Sequence, residues 1–467
     1  MTPATVSRLR AVFAILFAML VVRQAYVQVI ARPQIAANPY NPRHALLGAH
    51  RGRILASDGT VLAQSAGEKR AYPLGPSLAQ TVGYVSQRYG TSGLEDAYDR
   101  ALTPPDTTGD FGAQIGQIVE ALSGKSSVSR GADVVTTIDP AIQNELYGEL
   151  NSYSRGAGVV LDPRTGAVLA LASVPSFNPN ELAAEFPSLA HDRSSPLLNR
   201  AIDGLYPPGS TFKIFTAASA LDSGTVTMQS TFYDPGYSTI GNFTLHDDEG
   251  EATGTQDLTG AFALSSNVDF GQIAMKMGTD TFYRYLGRWG IGGSLDFQLP
   301  ASRDHVPPQA GILPGELAQM GFGQGALLMS PLQMALLAAT IADGGSEPRP
   351  YIVRQVTWPG APGSSYGPAE LATPVSADTA ASVKKMMIAV VERGTGTSAQ
   401  LAGVTVAGKT GTATNPFGAA HSWFVCFAPA ENPRVVVAVI VENGGYGAAV
   451  AAPIARNVLR VALSHTK

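Results

Sequence analysis

Apolar and polar positions change period several times along the chain, and the changes mark out its parts. The first is a continuous run. "RLRAVFAILFAMLVVRQAYVQVI" opens on Arg8 and Arg10, is uninterrupted over 11–22, and resumes after Arg23 and Gln24. A helix over 11–31 is expected to anchor the chain in a membrane, with Arg23 snorkelling to the outer interface. The basic residues ahead of it put a short tail, 1–10, in the cytoplasm and the rest of the chain outside. A cleaved signal peptide and an amphipathic surface helix are the alternatives. "ARPQIAANPYNPRHA" follows as a linker rich in Pro and Asn.

Short alternating runs come next. "RGRILASDGTVLAQS" predicts two strands around the turn Ser57-Asp58-Gly59, and 93–102 predicts a helix. With few apolar positions, 45–150 reads as an extended α+β module. "ADVVTTIDPAIQNELYGELNSY" predicts a strand and then a helix, with Asp139 as N-cap and Pro140 in the first helical position. "GAGVVLDPRTGAVLALASV" predicts a hairpin. Residues 205–395 read as mostly helical. "VTVAGKTGTAT", "HSWFVCFAP" and "RVVVAVIVEN" predict three successive strands, and "AAVAAPIARNVLRVALSHT" a closing helix. Strands early and late, with helices between, predict that 155–467 is an α+β domain. One antiparallel sheet is closed by pieces from both ends and flanked by helices.

Composition narrows the function classes. Of 467 residues, 15% are charged, which is low for a soluble protein and fits a membrane-attached one. A net charge of -4 gives no basic footprint for a nucleic acid. Cys426 is the only cysteine, so no internal disulfide forms, and its neighbours Phe424, Val425 and Phe427 point to packing. Seven scattered histidines show no metal-ligand spacing, and no metal or other cofactor is expected.

Three short motifs carry candidate chemistry. In "YPPGSTFKIF" the prolines and Gly209 stop earlier structure, and a helix is expected from Ser210 or Thr211 to about Asp222. It is apolar on nearly every face and therefore buried, which leaves Lys213 as its odd residue. Lys213 stands three positions after Ser210, on the same face. A buried lysine is costly unless paired or neutral, and a neutral one can take a serine proton to make a nucleophile. The helix N-terminus adds positive potential and N–H donors for an oxyanion. An N-cap serine with an unrelated snorkelling lysine is the plain alternative. Ser265 and Asn267 form a Ser-x-Asn, and Lys409-Thr410-Gly411-Thr412 lies in a predicted strand. Glycines there let another backbone approach, as a docking edge for an extended peptide requires. Each of these two also reads as an ordinary cap or a polar edge strand.

Ser-x-x-Lys, Ser-x-Asn and Lys-Thr-Gly in this order resemble the signature of penicillin-interacting serine enzymes. With "NPRHALLGAHRGRILASDGTVLA", "NRAIDGLYPPGSTFK" and "GFGQGALLMSPLQMA", the chain is similar over nearly its whole length to class B penicillin-binding proteins of the short actinobacterial type. The resemblance implies a penicillin-binding transpeptidase domain on an N-terminal pedestal. It implies Ser210 as the acylated nucleophile and Lys213 as its proton acceptor. Ser265 would relay a proton to the leaving amine, and Asn267 would hold the substrate amide and Lys213. Lys409 and Thr410 would grip the substrate carboxylate, with Gly411 beside them. The N–H groups of Ser210 and Thr412 would form the oxyanion hole. The implied reaction cross-links peptidoglycan stem peptides by acyl transfer from D-Ala–D-Ala, and β-lactams acylate the same serine. The plasma membrane and a separate multi-pass, glycan-polymerising glycosyltransferase are the implied partners. A D,D-carboxypeptidase or β-lactamase, with Glu316 or Glu392 as a water-activating acid, and a non-catalytic scaffold are the competing readings. The acidic loop "HDDEGEATG" over 246–254 reads as solvated, without a chemical role, and His421 as a residue that could line the site.

Overall fold

The computed structural model describes residues 3–26, 50–67, 69–104, 130–241, 243–247 and 250–466. The expected linker and the stretch 105–129 lie outside them. The first helix, Pro3–Ala25, covers most of the expected anchor, and 27–31 lie outside the described residues. Among the described residues no helix is long and apolar enough to cross a membrane, although the helix runs unbroken through Arg23 to Ala25.

Two sheets organise the rest. The larger part is built on five strands in the order Ala407–Ala413, His421–Ala428, Val435–Val441, Gly156–Leu161, Val168–Val174. Every neighbouring pair is antiparallel, as expected. Val435–Val441 is apolar at every position and wholly buried, because helices cover both faces of the sheet. Val436, Ala438 and Ile440 belong to one apolar cluster, on the side of Pro331–Ala342. Val435, Val437, Val439 and Val441 belong to the other, with Pro140–Leu150 and Ala451–His465. The period of two that normally separates core from solvent here separates two cores. Cys426 lies inside the second cluster, fully buried, and burial pushes its thiol far above the ordinary value.

The second sheet has six strands in the order Ser364–Ser365, Val353–Thr357, Asp133–Thr136, Ile54–Leu55, Val61–Ala66, Lys69–Ala71. The expected hairpin around Ser57-Asp58-Gly59 is present. The expected helix over 93–102 is two short ones, Gly93–Ala97 and Asp99–Leu102. Below the sheet Arg51 ties the module together. Its guanidinium, 1% exposed, bonds Glu95 and Asp99, each at 2.7 Å, and Thr103 at 2.8 Å. Glu95 also receives Arg70 at 2.7 Å.

The division expected near 150–155 is crossed in both directions. Asp139 caps Pro140–Leu150 as expected, accepting from the N–H groups of Ala141 and Ile142, but that helix packs on the five-stranded sheet. Conversely, Val353–Thr357 pairs with Asp133–Thr136 and so joins the N-terminal sheet. The expectation of a mostly helical middle is also too simple. Thr231–Asp234 pairs with Gly254–Asp257, and Tyr237–Ile240 with Phe243–His246. These small ribbons stand over the region that holds the motifs.

Candidate active site

Ser210 sits in a tight 3-10 turn, Gly209–Phe212, and the α-helix Lys213–Asp222 begins only after it. The α-helix expected from 210–211 therefore begins at Lys213, and a 3-10 turn takes up the positions where it was expected to start. Gly209 has φ +55°, and a Cβ there would come within 3.2 Å of the Thr412 carbonyl oxygen. The turn therefore abuts the strand Ala407–Ala413, whose other side pairs with His421–Ala428. Gly411 is the second close approach: a Cβ would lie 2.9 Å from Thr211 Cγ2 and 3.1 Å from the Pro208 oxygen. Trp423 Nε1 donates to the Pro207 oxygen at 3.0 Å, pinning the turn to the sheet. We expect Gly411→Ala to push turn and strand apart, costing about 1–3 kcal/mol as overpacking and slowing acylation of Ser210. An unchanged acylation rate and melting point would show that the contact yields freely.

The helix after the turn buries every residue from Lys213 to Ala220. Phe212 stacks on Phe215 at 4.6 Å, and Phe215 meets Trp289 edge-on. Lys213 is fully buried but not idle. Its Nζ donates to Asn267 Oδ1 at 2.8 Å, to Ser265 Oγ at 3.2 Å and to the Ser265 carbonyl oxygen.

Ser265-Ser266-Asn267 is a corner between two helices. Ser265 ends Leu258–Leu264 in the left-handed conformation, φ 66° and ψ 35°, a costly geometry for a residue with a Cβ. Ser266 caps the next helix, Asn267–Arg288, accepting from Asp269 N–H at 2.9 Å. The corner turns the Ser265 hydroxyl toward two lysines, for Lys409 Nζ donates to it at 2.8 Å. Lys409 is as buried as Lys213 and also donates to the Thr410 oxygen at 3.1 Å. Three motifs far apart in sequence thus meet at one hydroxyl. Ser210, Ser265, Thr410 and Thr412 open together onto a cleft of about 270 Å³.

Sequence reading missed four contributors. Thr395 lines the cleft and hydrogen-bonds the Thr410 hydroxyl at 2.5 Å. Tyr446 lines it from a glycine-rich turn after the last strand; the cluster Gly444-Gly445-Tyr446-Gly447 was the available signal. Asp247 and Glu251 line it too, which corrects the reading of 246–254 as a solvated loop without a role. Asp247 Oδ1 accepts from the backbone N–H groups of Asn267 and, at 3.4 Å, Val268. The His246 oxygen accepts from Asn267 Nδ2 at 3.0 Å. The loop is therefore the backing of the Ser-x-Asn corner.

Other candidates fall away from the cleft. His421 is 8% exposed, packs edge-on against Tyr206 and accepts the Asn443 N–H, and burial lowers its pKa. Glu316 caps its own helix through the Leu313 N–H, and Glu392 pairs with Arg393 on the surface. Neither reaches the site. Among the described residues no group of His, Cys, Asp or Glu could hold a metal ion.

Comparison with known proteins agrees with this geometry. Residues 156–460 match the family described as penicillin binding protein transpeptidase domain, and 51–134 match the penicillin binding protein A dimerisation domain. The peptidoglycan D,D-transpeptidase PbpA of Mycolicibacterium smegmatis is 34% identical over 98% of both chains. Penicillin-binding protein A of Mycobacterium tuberculosis, solved as its imipenem acyl-enzyme, superposes with a TM-score of 0.82. It is 32% identical and covers 90% of this chain and 100% of its own. A D,D-transpeptidase domain from Eggerthella lenta gives a TM-score of 0.80 at 36% identity, over 89% of this chain and 99% of its own. A Ser-Lys pair, a Ser-x-Asn corner and a Lys-Thr-Gly strand converging on one cleft, in a chain matched end to end, place this protein among the class B penicillin-binding proteins.

Proposed function

We propose that the protein is a peptidoglycan D,D-transpeptidase working through a Ser210 acyl-enzyme. The observation that carries this is the Ser265 hydroxyl held between Lys213 and Lys409 beside Ser210 at the mouth of the cleft. Lys213, as the neutral amine, takes the Ser210 proton while Oγ attacks the carbonyl of the terminal D-Ala–D-Ala bond. N–H groups of Ser210 and Thr412 hold the oxyanion. Ser265 delivers a proton to the departing D-Ala amine, drawing on either lysine. Asn267 keeps Lys213 aimed and binds the substrate amide. Lys409, Thr410 and Thr412 receive the substrate carboxylate along the sheet edge, with Gly411 allowing the close approach. An amine of a second stem peptide then takes the acyl group and frees Ser210. β-Lactams enter by the same attack and stay.

The acids Asp247 and Glu251 flank the Ser-x-Asn side, and with Glu316 and Glu392 set aside they are the acids among the described cleft-lining residues on which a hydrolase reading would rest. We also propose that 11–31 anchors the chain in the plasma membrane with 1–10 in the cytoplasm, supported by Arg8 and Arg10 before the apolar run. A separate glycan-polymerising glycosyltransferase is the proposed partner, expected to co-purify in mild detergent.

Membranes carrying the protein are treated with a fluorescent penicillin. We expect a stable covalent band in the washed membrane fraction, absent from Ser210→Ala. Equal labelling of the variant sinks the nucleophile, rapid loss of label favours a hydrolase, and label in the wash sinks the anchor.

A further inference from the structure

Beneath the Ser-x-Asn corner lies a group of carboxylates that the transpeptidation steps above do not use. Asp234, at the end of Thr231–Asp234, is fully buried. Its Oδ1 accepts the Gly236 N–H and its Oδ2 the Thr253 hydroxyl, each at 2.7 Å. Asp247 faces it from the acidic loop. One Asp247 oxygen clamps the Asn267 N–H; the other, Oδ2, is buried without a conventional donor among the described residues. Asp269 stands behind on the helix Asn267–Arg288 and accepts Gln256 at 2.7 Å.

Asp234 is fully buried, Asp247 is half-buried at the cleft wall, and their side chains are hydrogen-bonded to each other. Two carboxylates so placed cannot both ionise cheaply, so one proton between them resolves the unsatisfied oxygen. We propose that Asp247 is a positioning residue for acylation: it holds the Ser-x-Asn corner through Asn267 and shares one proton with Asp234. Through Asn267 Oδ1 the clamp sets Lys213, and through the corner it sets Ser265. The inference rests on the proposed acyl-enzyme chemistry.

The charge balance gives the corner a pH response. Burial, then the Asp234 carboxyl, pushes Asp247 up to about 7, against the Asn267 N–H and the Lys213 charge. Burial alone would raise Asp234 too. Hydrogen bonds from Asp247, Thr253 and Gly236 outweigh it and hold Asp234 below its ordinary value. The proton therefore belongs to Asp247. Asp269, raised to about 6 mainly by burial, is the third carboxylate of the group. Among the described residues, the charged and titratable groups around Asp247 are Asp234, Asp269, Lys213 and its loop neighbours His246 and Glu251. When pH rises past 7 the shared proton leaves. The two carboxylates then repel, the loop is driven off the corner, and the added negative charge favours the ammonium form of Lys213. Acylation slows.

The full chain in membranes is acylated with fluorescent penicillin between pH 5.5 and 9. We expect the native rate to turn down above about pH 7, roughly tenfold per unit. Asp247→Asn keeps an acceptor for Asn267 and donates permanently to Asp234. It should stay within severalfold of the native rate at pH 6 and lack the downturn. Asp247→Ala should be at least tenfold slower throughout. A native profile without a downturn overturns the shared proton, as does a downturn retained in Asp247→Asn. Asn and Ala variants slowed alike overturn the clamp. Failure of Ser210→Ala to abolish labelling would instead strike the reading beneath it.

Discussion

Lys213→Met should leave a folded protein that acylates with penicillin about 10²- to 10⁴-fold more slowly, the range set by removing a general base. Methionine matches the lysine stem in length and suits a helix buried from Lys213 to Ala220. What it removes is the amine alone. Ser265 Oγ keeps its bond from Lys409 at 2.8 Å, so the corner does not collapse. Asn267 Oδ1 and the Ser265 carbonyl lose their Lys213 donor, and some loss of stability is expected with the loss of rate. Stopped-flow acylation and thermal melting on one preparation separate the two. A rate within threefold of native in a folded variant would remove Lys213 from the proton path and leave Lys409 as the only amine on Ser265.

Glu95→Ala should have the largest effect on stability. Glu95 is wholly buried between Arg51 and Arg70, whose side chains are 1% and 3% exposed. Its removal strands two guanidiniums, of which Arg51 keeps Asp99 and Thr103. Breaking such a pair from one side costs about 3–5 kcal/mol, a large share of a folded unit's usual margin of about 5–15 kcal/mol. We expect the N-terminal sheet to melt and become protease-sensitive well before the catalytic sheet. Glu95→Gln, which keeps an acceptor, should fall between. An Ala variant that melts like the native protein would mean that water reaches the arginines.

What could be read in the sequence followed range. The strands of the catalytic sheet announce themselves by alternation or unbroken apolarity over six to eight residues. Ser210 and Lys213 announce themselves by placing a charge in an apolar helix. Asp247 gave no such sign. In sequence it is one acid in an acidic loop, and only a bond to Asn267, 20 residues on, makes it part of the site. Thr395 is invisible for the same reason, because its partner Thr410 comes 15 residues later on another element. Val353–Thr357 looks like any short strand, and nothing local says that it crosses to pair with Asp133–Thr136. The proposed membrane anchor stands on composition and charge order alone, since the first helix, Pro3–Ala25, is not long and apolar enough by itself to cross a membrane.

That crossing strand has a consequence for how the protein can be inherited. A gene fragment beginning after the helix Pro140–Leu150 would encode a catalytic sheet but leave Val353–Thr357 with a bare row of backbone groups, ready to pair with another chain. A fragment ending before it would leave Asp133–Thr136 equally bare. Neither half can be traded by recombination as a finished module. The two must be copied together, and changes in one are answerable to the other.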